Sequence, residues 1–575
     1  MERAFTKVLV ANRGEIAIRI TRACQELGMA TVAVYSDDDR KSFYYRIADE
    51  AVNISGSGAR DTYLNIEKIL QVAEKTGCDA VHPGYGFLSE NPDFAGECER
   101  TGIKFIGPSS ACMKKIGDKA GLKKLMKTGG IPTLPSLEDR VAAENLKTAI
   151  REIGLPVIIK PSFGGGGKGM RAVFTEQETE DAIRYARTIG KSAFGSPAFY
   201  IEKLLERPRH IEVQVLADHT GGILAFGERE CSIQRDYQKL IEETPSPALT
   251  GEDRDIVIEL ARNAAGLIEY ENAGTVEFLY QDGSFYFIEV NGRIQVEHSI
   301  TELVTGIDLI KEQIRIAAGG SIPFAGEYIV PRGWAIQCRI NAEDPSRNFL
   351  PSPGKILGYR APGGFGVRVD TGVFMGYSIP AQYDSLVSKL SVWARGRDEA
   401  ISRMKRVLNE YVILGTKTTL PLHRAIFREP DFLSGNFDTG YIEKHIGYLL
   451  ETMRQLEQNE RSHDQMLAEV FLNNLHGEHG SPESHVEVTP QAVAIPPFDP
   501  RNGDDNKRDG AELAALIGAA IALATNTESS SAEQIRETGR SGNSWSLAGR
   551  CAQMNQRLSG GTYRSGSKTH TAYGM

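Results

Sequence analysis

A chain of 575 residues has room for three to four domains, each with a sizeable core. Its net charge of −9 and pI near 5.8 speak against a nucleic-acid partner, which needs a basic stripe. Seven cysteines without a Cys-x-x-Cys pair fit a reducing, cytoplasmic setting and neither a disulfide framework nor a zinc site. No run reaches the ~18 apolar residues of a membrane span.

Met1-Glu-Arg leads straight into a strand, so no signal peptide is expected. Residues 1–115 alternate strand and helix: strands at 8–11 and 31–35 around a helix from Glu15 predict a small parallel α/β domain. No Gly-x-Gly-x-x-Gly fingerprint occurs there, so a dinucleotide reading is weak. Further along, Val157-Ile-Ile-Lys160 reads as a strand and Met170-Arg-Ala-Val173 as its return partner. Between them lie Gly164, Gly165, Gly166 and Gly167, then Lys168 and Gly169. Each glycine costs roughly 0.5–1 kcal/mol to order relative to Ala. The cost makes sense where backbone N–H groups must approach anionic oxygens closely. The run is not a P-loop, because Lys168 precedes Gly169 instead of Ser or Thr and a strand follows. Lys160, at the end of an apolar strand, needs an anion.

Next comes a hairpin, Thr275-Val-Glu-Phe-Leu-Tyr-Gln-Asp-Gly-Ser284 followed by Phe285-Tyr-Phe-Ile-Glu-Val-Asn-Gly-Arg-Ile-Gln-Val-Glu-His298. Glu289, Asn291, Arg293, Gln295 and Glu297 recur at two-residue spacing, which reads as one charged face of a strand. A three-residue loop, Asp282 to Ser284, sets Glu277 opposite Glu289. A two-residue loop slips the register and sends the carboxylates to opposite faces. Opposed like charges are destabilising unless a cation sits between them, and Mg²⁺ is typically held by one or two carboxylates plus substrate phosphates. The competing reading is a solvated hairpin face.

Residues 331–446 are strand-rich and punctuated by Gly and Pro. Beyond them, 447–575 reads as an amphipathic helix over 449–475, a linker, a short apolar helix at 511–524 suited to partner docking, and a partly disordered tail. His476, His479 and His485 fall in the linker, where solvated side chains are a better reading than metal ligands. Cys231 and Cys338 read as packing residues.

Several segments together resemble biotin carboxylase, in order and spacing, from about residue 5 to about 445. They are Val10-Ala-Asn-Arg-Gly-Glu-Ile16, His82-Pro-Gly-Tyr-Gly-Phe-Leu-Ser-Glu-Asn91, Gly117-Asp-Lys119, Pro208-Arg-His-Ile-Glu-Val-Gln214, Arg293-Ile-Gln-Val-Glu-His298, Cys338-Arg-Ile-Asn-Ala-Glu-Asp-Pro345 and Phe349-Leu-Pro-Ser-Pro-Gly354. The resemblance implies a multidomain fold of α/β and α+β parts. Residues 1–115 would be the N-terminal biotin carboxylase domain, 116–330 an ATP-grasp domain with a mobile, glycine-rich lid near 131–205, and 331–446 the biotin carboxylase C-terminal domain. It implies an enzyme that makes carboxyphosphate from bicarbonate and ATP with Mg²⁺ or Mn²⁺, then carboxylates biotin.

By the same resemblance Lys119, Lys160, Glu202, Lys203, Leu205, His210 and Gln234 bind ATP, with Glu202 to Leu205 at the adenine. Gly164 to Gly167 and Gly169 close over the phosphates. Glu277 and Glu289, with Asn291, hold the metal. Lys239, Arg293, Gln295 and the backbone of Val296 bind bicarbonate, Glu297 is the general base, and Arg339, with Tyr85 nearby, serves the biotin anion. Arg22, Glu26, Phe365 and Arg368 fall where the family makes homodimer contacts.

The chain departs from the family at Gly292, Ser299, Asp236, Tyr237, Trp334 and Gln337. An acidic Asp236 would weaken nucleotide binding unless it points outward. No Ala-Met-Lys-Met biotinylation sequence occurs, so biotin is expected in trans, on a carrier or carboxytransferase polypeptide. The final acceptor is read as pyruvate, with an acyl-CoA as runner-up. A half of a carbamoyl-phosphate synthetase and a non-catalytic MgATP-binding scaffold are the remaining alternatives.

Overall fold

A computed structural model describes residues 5–137, 150–161, 169–194, 199–322 and 329–476. The N-terminal sheet is parallel, in the order β3-β2-β1-β4-β5: β1 Lys7–Val10, β2 Ala30–Tyr35, β3 Glu50–Asn53, β4 Ala80–His82 and β5 Lys104–Phe105. Leu9, Val32, Val34 and Val81 bury one side of it against the helices Ile66–Thr76 and Pro92–Thr101. Asn65 and Asn91 cap those two helices, and Gly77 and Gly102 end them in the left-handed region.

The lid is a small antiparallel sheet in the order β6-β9-β7-β8. Its strands are β6 Ser136–Leu137, β7 Val157–Pro161, β8 Arg171–Val173 and β9 Phe199–Lys203. The helix Thr179–Phe194 supplies Ala182, Ile183 and Ala186 to its core. Gly164 to Gly167 and Lys168 lie outside the described residues; Gly169 is described, at φ +81°.

The rest of the site is built on one eight-stranded antiparallel sheet. Six of its strands are β10 Arg209–Ala217, β11 Ile223–Arg235, β12 Gln238–Thr244, β13 Asn272–Gln281, β14 Ser284–Asn291 and β15 Trp334–Asn341. The order is β14-β13-β10-β11-β12-β15, continued by Leu386–Ala394 and then Val367–Thr371. Strands before and after residue 330 thus share one hydrogen-bonded sheet. Ile211, Val213, Val215, Val276 and Phe278 bury one face against the helices Lys119–Thr128 and Gly251–Leu267. Alternation then forces His210, Glu212, Gln214, Thr275 and Glu277 onto the other face.

Two sequence expectations are corrected here. The hairpin loop is the two residues Asp282 and Gly283, at φ +51° and +76°, with Gln281 paired to Ser284. The predicted pairing of Glu277 with Glu289 nevertheless forms, because the register shifts beyond Phe278↔Phe287 and leaves Ile288 as a bulge. The expected single strand also stops at Asn291. Residues 292–297 form a loop that buries Ile294 in the core beneath the N-terminal domain, and the helix His298–Thr305 follows.

The helix Tyr441–His476 begins earlier than the expected amphipathic helix. His479, His485 and the apolar stretch 511–524 lie outside the described residues, as does the side chain of His476. Among the described residues no helix is long and apolar enough to cross a membrane.

Candidate active site

Cross-strand register lays the charged groups in rows. Glu289, Glu277, Glu212 and Arg229 face one another across β14, β13, β10 and β11. Arg339 opposes Lys389, which opposes Asp370; Glu242 opposes Gln337, which opposes Ser391. A face so charged excludes a hydrophobic partner. It is covered instead by the helix His298–Thr305, whose Thr301 accepts from Arg229 at 3.0 Å.

Lys239 is the hub. Its Nζ lies 3.0 Å from Glu277, 2.8 Å from Glu297 and 2.5 Å from Glu212. Burial opposes its charge, yet the three carboxylates raise its pKa well above the ordinary lysine value. Arg339 donates to Glu242 and, at 2.8 Å, to Glu297. Glu297 is fully buried. Burial pushes its pKa up, but Lys239 and Arg339 outweigh that and hold it well below the usual carboxylate range. Glu277 is likewise held low against burial by Lys239 and His210, whose Nε2 is 3.1 Å away.

The loop after β14 supplies Arg293, Gln295 and Glu297 together. Arg293 donates to Gln295 at 2.8 Å and to Asn291 at 3.3 Å, and pairs with Glu90 at 3.1 Å. Asn291 donates to Glu277 at 2.9 Å. Val296 sits in the same loop, half-buried. Glu289 turns elsewhere, to Lys119 at 3.0 Å. Two carboxylates and an amide form an oxygen-only donor set, the chemistry a hard divalent cation needs. Lys119 and Lys239 neutralise these carboxylates here.

At the lid, Lys160 lies 2.6 Å from the buried Glu202, which also pairs with Lys123. Lys203 donates to the carbonyls of Gly154 and Leu155 at 3.0 and 2.8 Å, so its side chain belongs to the lid's own structure. A cavity of about 460 Å³ opens beside it, lined by Lys203, Leu204, Leu205, Tyr280 and Phe437. Gln234 is buried on β11 opposite Lys239. The next two residues after Arg235, Asp236 and Tyr237, form the turn into β12 with φ of +49° and +62°. The Asp236 side chain is 77% exposed and pairs with Arg235, so it points outward.

Three other departures are absorbed by hydrogen bonds. Ser299 donates to Gln337 at 2.5 Å, Gln337 donates to Glu242 at 3.0 Å, and Trp334 donates to Glu243 at 2.7 Å. Burial pushes the thiols of Cys231 and Cys338 well up, as packing residues require. Sequence reasoning missed Glu212, Arg229, Glu242, Glu90 and Lys123. Glu212 carried the two-residue alternation of His210, Glu212 and Gln214 and could have been found; Lys123 and Arg229 carried no local signal.

Three family models tile the chain: the N-terminal domain of biotin carboxylase over residues 4–113, the ATP-binding domain of the carbamoyl-phosphate synthase L chain over 118–324, and the C-terminal domain of biotin carboxylase over 337–444. A pyruvate carboxylase subunit of Methanothermobacter thermautotrophicus is 53% identical over 469 residues, covering 81% of this chain and 96% of the relative. Biotin carboxylase 1 of Bacillus subtilis is 50% identical over 444 residues, covering 76% and 98%. Among solved structures, the biotin carboxylase domain dimer of Hydrogenobacter thermophilus 2-oxoglutarate carboxylase, in complex with MgADP, ADP and bicarbonate, matches with a TM-score of 0.76 and 47% identity. That match covers 78% of this chain and 99% of that one. The chain is an ATP-grasp ligase and belongs to the biotin carboxylase family.

Proposed function

We propose that this chain carboxylates biotin carried on a separate polypeptide, as the biotin carboxylase subunit of a split, cytoplasmic pyruvate carboxylase, and that it works as a homodimer. The observation that carries the chemistry is Glu297, fully buried between Lys239 and Arg339. The pyruvate acceptor is supported by the 53% identical pyruvate carboxylase subunit, which this chain matches over nearly its whole length. The scaffold alternative rested on Asp236, which faces solvent.

In this reading the adenine docks at residues 202–205 beside the cavity, and Lys119 and Lys160 receive the phosphates. Glu277, Glu289 and Asn291 would hold Mg²⁺, which supplies positive charge to the phosphate oxygens. With its present partners Glu297 is a weak base. Bicarbonate entering the cluster draws Lys239 and Arg293 onto its own oxygens, with Gln295 and the Val296 backbone orienting it. Glu297, relieved of part of its positive surroundings, then accepts the bicarbonate proton. The bicarbonate oxygen attacks the γ-phosphorus, the bond to the ADP oxygen breaks, and carboxyphosphate forms. It separates into CO₂ and phosphate under the lid, away from water. The phosphate takes the biotin N–H proton, the nitrogen attacks CO₂, and Arg339 stabilises the anionic ureido oxygen.

ADP release with MgATP and bicarbonate, with and without free biotin, tests this reading. Strong stimulation by biotin is expected, and release indifferent to both bicarbonate and biotin overturns it.

A further inference from the structure

The motif Asn-Arg-Gly-Glu, which has no assigned role, meets His-Pro-Gly-Tyr-Gly, the motif that carries Tyr85. Asn12 donates to the carbonyls of Pro83 and Tyr85 at 2.6 and 2.8 Å and so pins the Tyr85 loop. Gly84, at φ +64°, passes so close to Asn12, Ile16 and Ile20 that a Cβ would sit about 3.0–3.2 Å from them. The loop therefore has a fixed seat on the first turn of the helix Gly14–Glu26. From that turn Glu15, buried, accepts the Tyr85 hydroxyl. Its other oxygen faces Lys389 at 3.1 Å.

Lys389 is fully buried, lies 5.8 Å from the Tyr85 ring centroid, and is the direct cross-strand neighbour of Arg339. Asp370 stands 3.8 Å from its ammonium on the far side, held by Arg368 at 2.9 Å. A fully buried lysine is expensive unless its charge is matched. Tyr85 thus meets the row Arg339–Lys389–Asp370 at its middle member, Lys389.

We propose that Glu15 and Lys389 are positioning residues for the carboxyl-transfer half of the reaction: together they hold the Tyr85 hydroxyl and ring beside Arg339. The inference rests on the reading of Tyr85 and Arg339 as the biotin end. Glu15 lies in the first helical turn, where a carboxylate is favoured, while burial raises its pKa to about 7 against the pull of Lys389. It accepts the tyrosine hydrogen bond without needing a metal or the nucleotide, so its effect is confined to the biotin side.

The test compares Glu15→Gln, Lys389→Met, Tyr85→Phe and the double variant Tyr85→Phe/Glu15→Gln in the full chain. Steady-state KM and kcat are measured separately for ATP and for free biotin. Losing the charge-assisted bond is expected to lower kcat/KM for biotin about tenfold or more in Glu15→Gln and Lys389→Met, with KM for ATP within about twofold. The loss in the double variant is expected to match that of Tyr85→Phe alone, because both changes break one contact. Losses that multiply in the double variant, or a KM for ATP that rises in parallel with that for biotin, overturn the proposal. If Tyr85→Phe impairs biotin use while Glu15→Gln and Lys389→Met do not, this inference alone fails. If Tyr85→Phe leaves biotin use untouched, the placement of the biotin end fails with it.

Discussion

The lid and the sheet floor solve opposite electrostatic problems with the same residue type. At the lid, Lys123 and Lys160 share the single buried carboxylate of Glu202. On the floor, Lys239 serves three carboxylates, Glu212, Glu277 and Glu297. The lid is thus short of negative charge and suited to a polyphosphate. The floor's carboxylates are matched more closely, because Arg229 and Arg339 also pair with Glu212 and Glu297. The lid therefore has positive charge to offer a polyphosphate, whereas the floor's charges are already committed to one another.

The most severe way to break that comparison is at the floor's buried acid. Glu297→Gln is expected to lower turnover by ~10²–10⁴, the range for a lost general base, while equilibrium nucleotide titration shows affinity within a few-fold. A loss of binding equal to the loss of rate would assign Glu297 to the lid's task instead. Lys239→Met removes the hub and leaves three buried carboxylates sharing what remains. A stability loss of about 3–5 kcal/mol is expected in urea unfolding, along with loss of bicarbonate-dependent turnover.

Lys160→Met acts only on the lid. KM for ATP should rise ~10–100-fold from the loss of a charged hydrogen bond, with unfolding little changed because Lys123 still pairs Glu202. Equal destabilisation by Lys160→Met and Lys239→Met would erase the contrast between the two halves.

The last effect appears only at acid pH and concerns the sheet's support. His423 Nε2 donates to the Arg339 carbonyl at 2.7 Å, and burial lowers the histidine's pKa to about 4. An unfolded histidine takes its proton near ~6.5. Between these values the unfolded chain binds a proton the folded chain refuses, so this residue's contribution to stability falls as pH falls. Relative to His423→Gln, the native protein should lose up to ~1.4 kcal/mol more per pH unit from about 6.5 down to about 4, and no more below that. Urea midpoints of the two proteins across this range would show it.

Many of the side chains that cluster were legible because they were written in two-residue alternation and in local motifs. Glu277 and Glu289 were paired correctly from the sequence, though by the wrong route: the expected three-residue loop is a two-residue turn, and the bulge at Ile288 restores the register. Bulges leave no residue signature of their own, since Ile288 is an ordinary strand former. Arg293, Gln295 and Glu297 kept their spacing after the strand ended, because a loop anchored by Ile294 presents them to the same cluster. Arg229, Glu242, Lys389 and Lys123 were illegible for another reason. Their meaning lies in which strand or helix is adjacent in space, and alternation along a single strand does not report its neighbours.

The sheet that carries the site runs without a seam from β12 into β15, with Ile241 opposite Cys338 and Thr244 opposite Ala335. A chain cut near residue 330 would leave β12 as a raw border, its backbone donors and acceptors open to any passing strand. Such a truncated fragment is a seed for aggregation rather than a minimal nucleotide-binding module. Anyone shortening this protein has to keep it through Ala394, the end of the strand that pairs with β15.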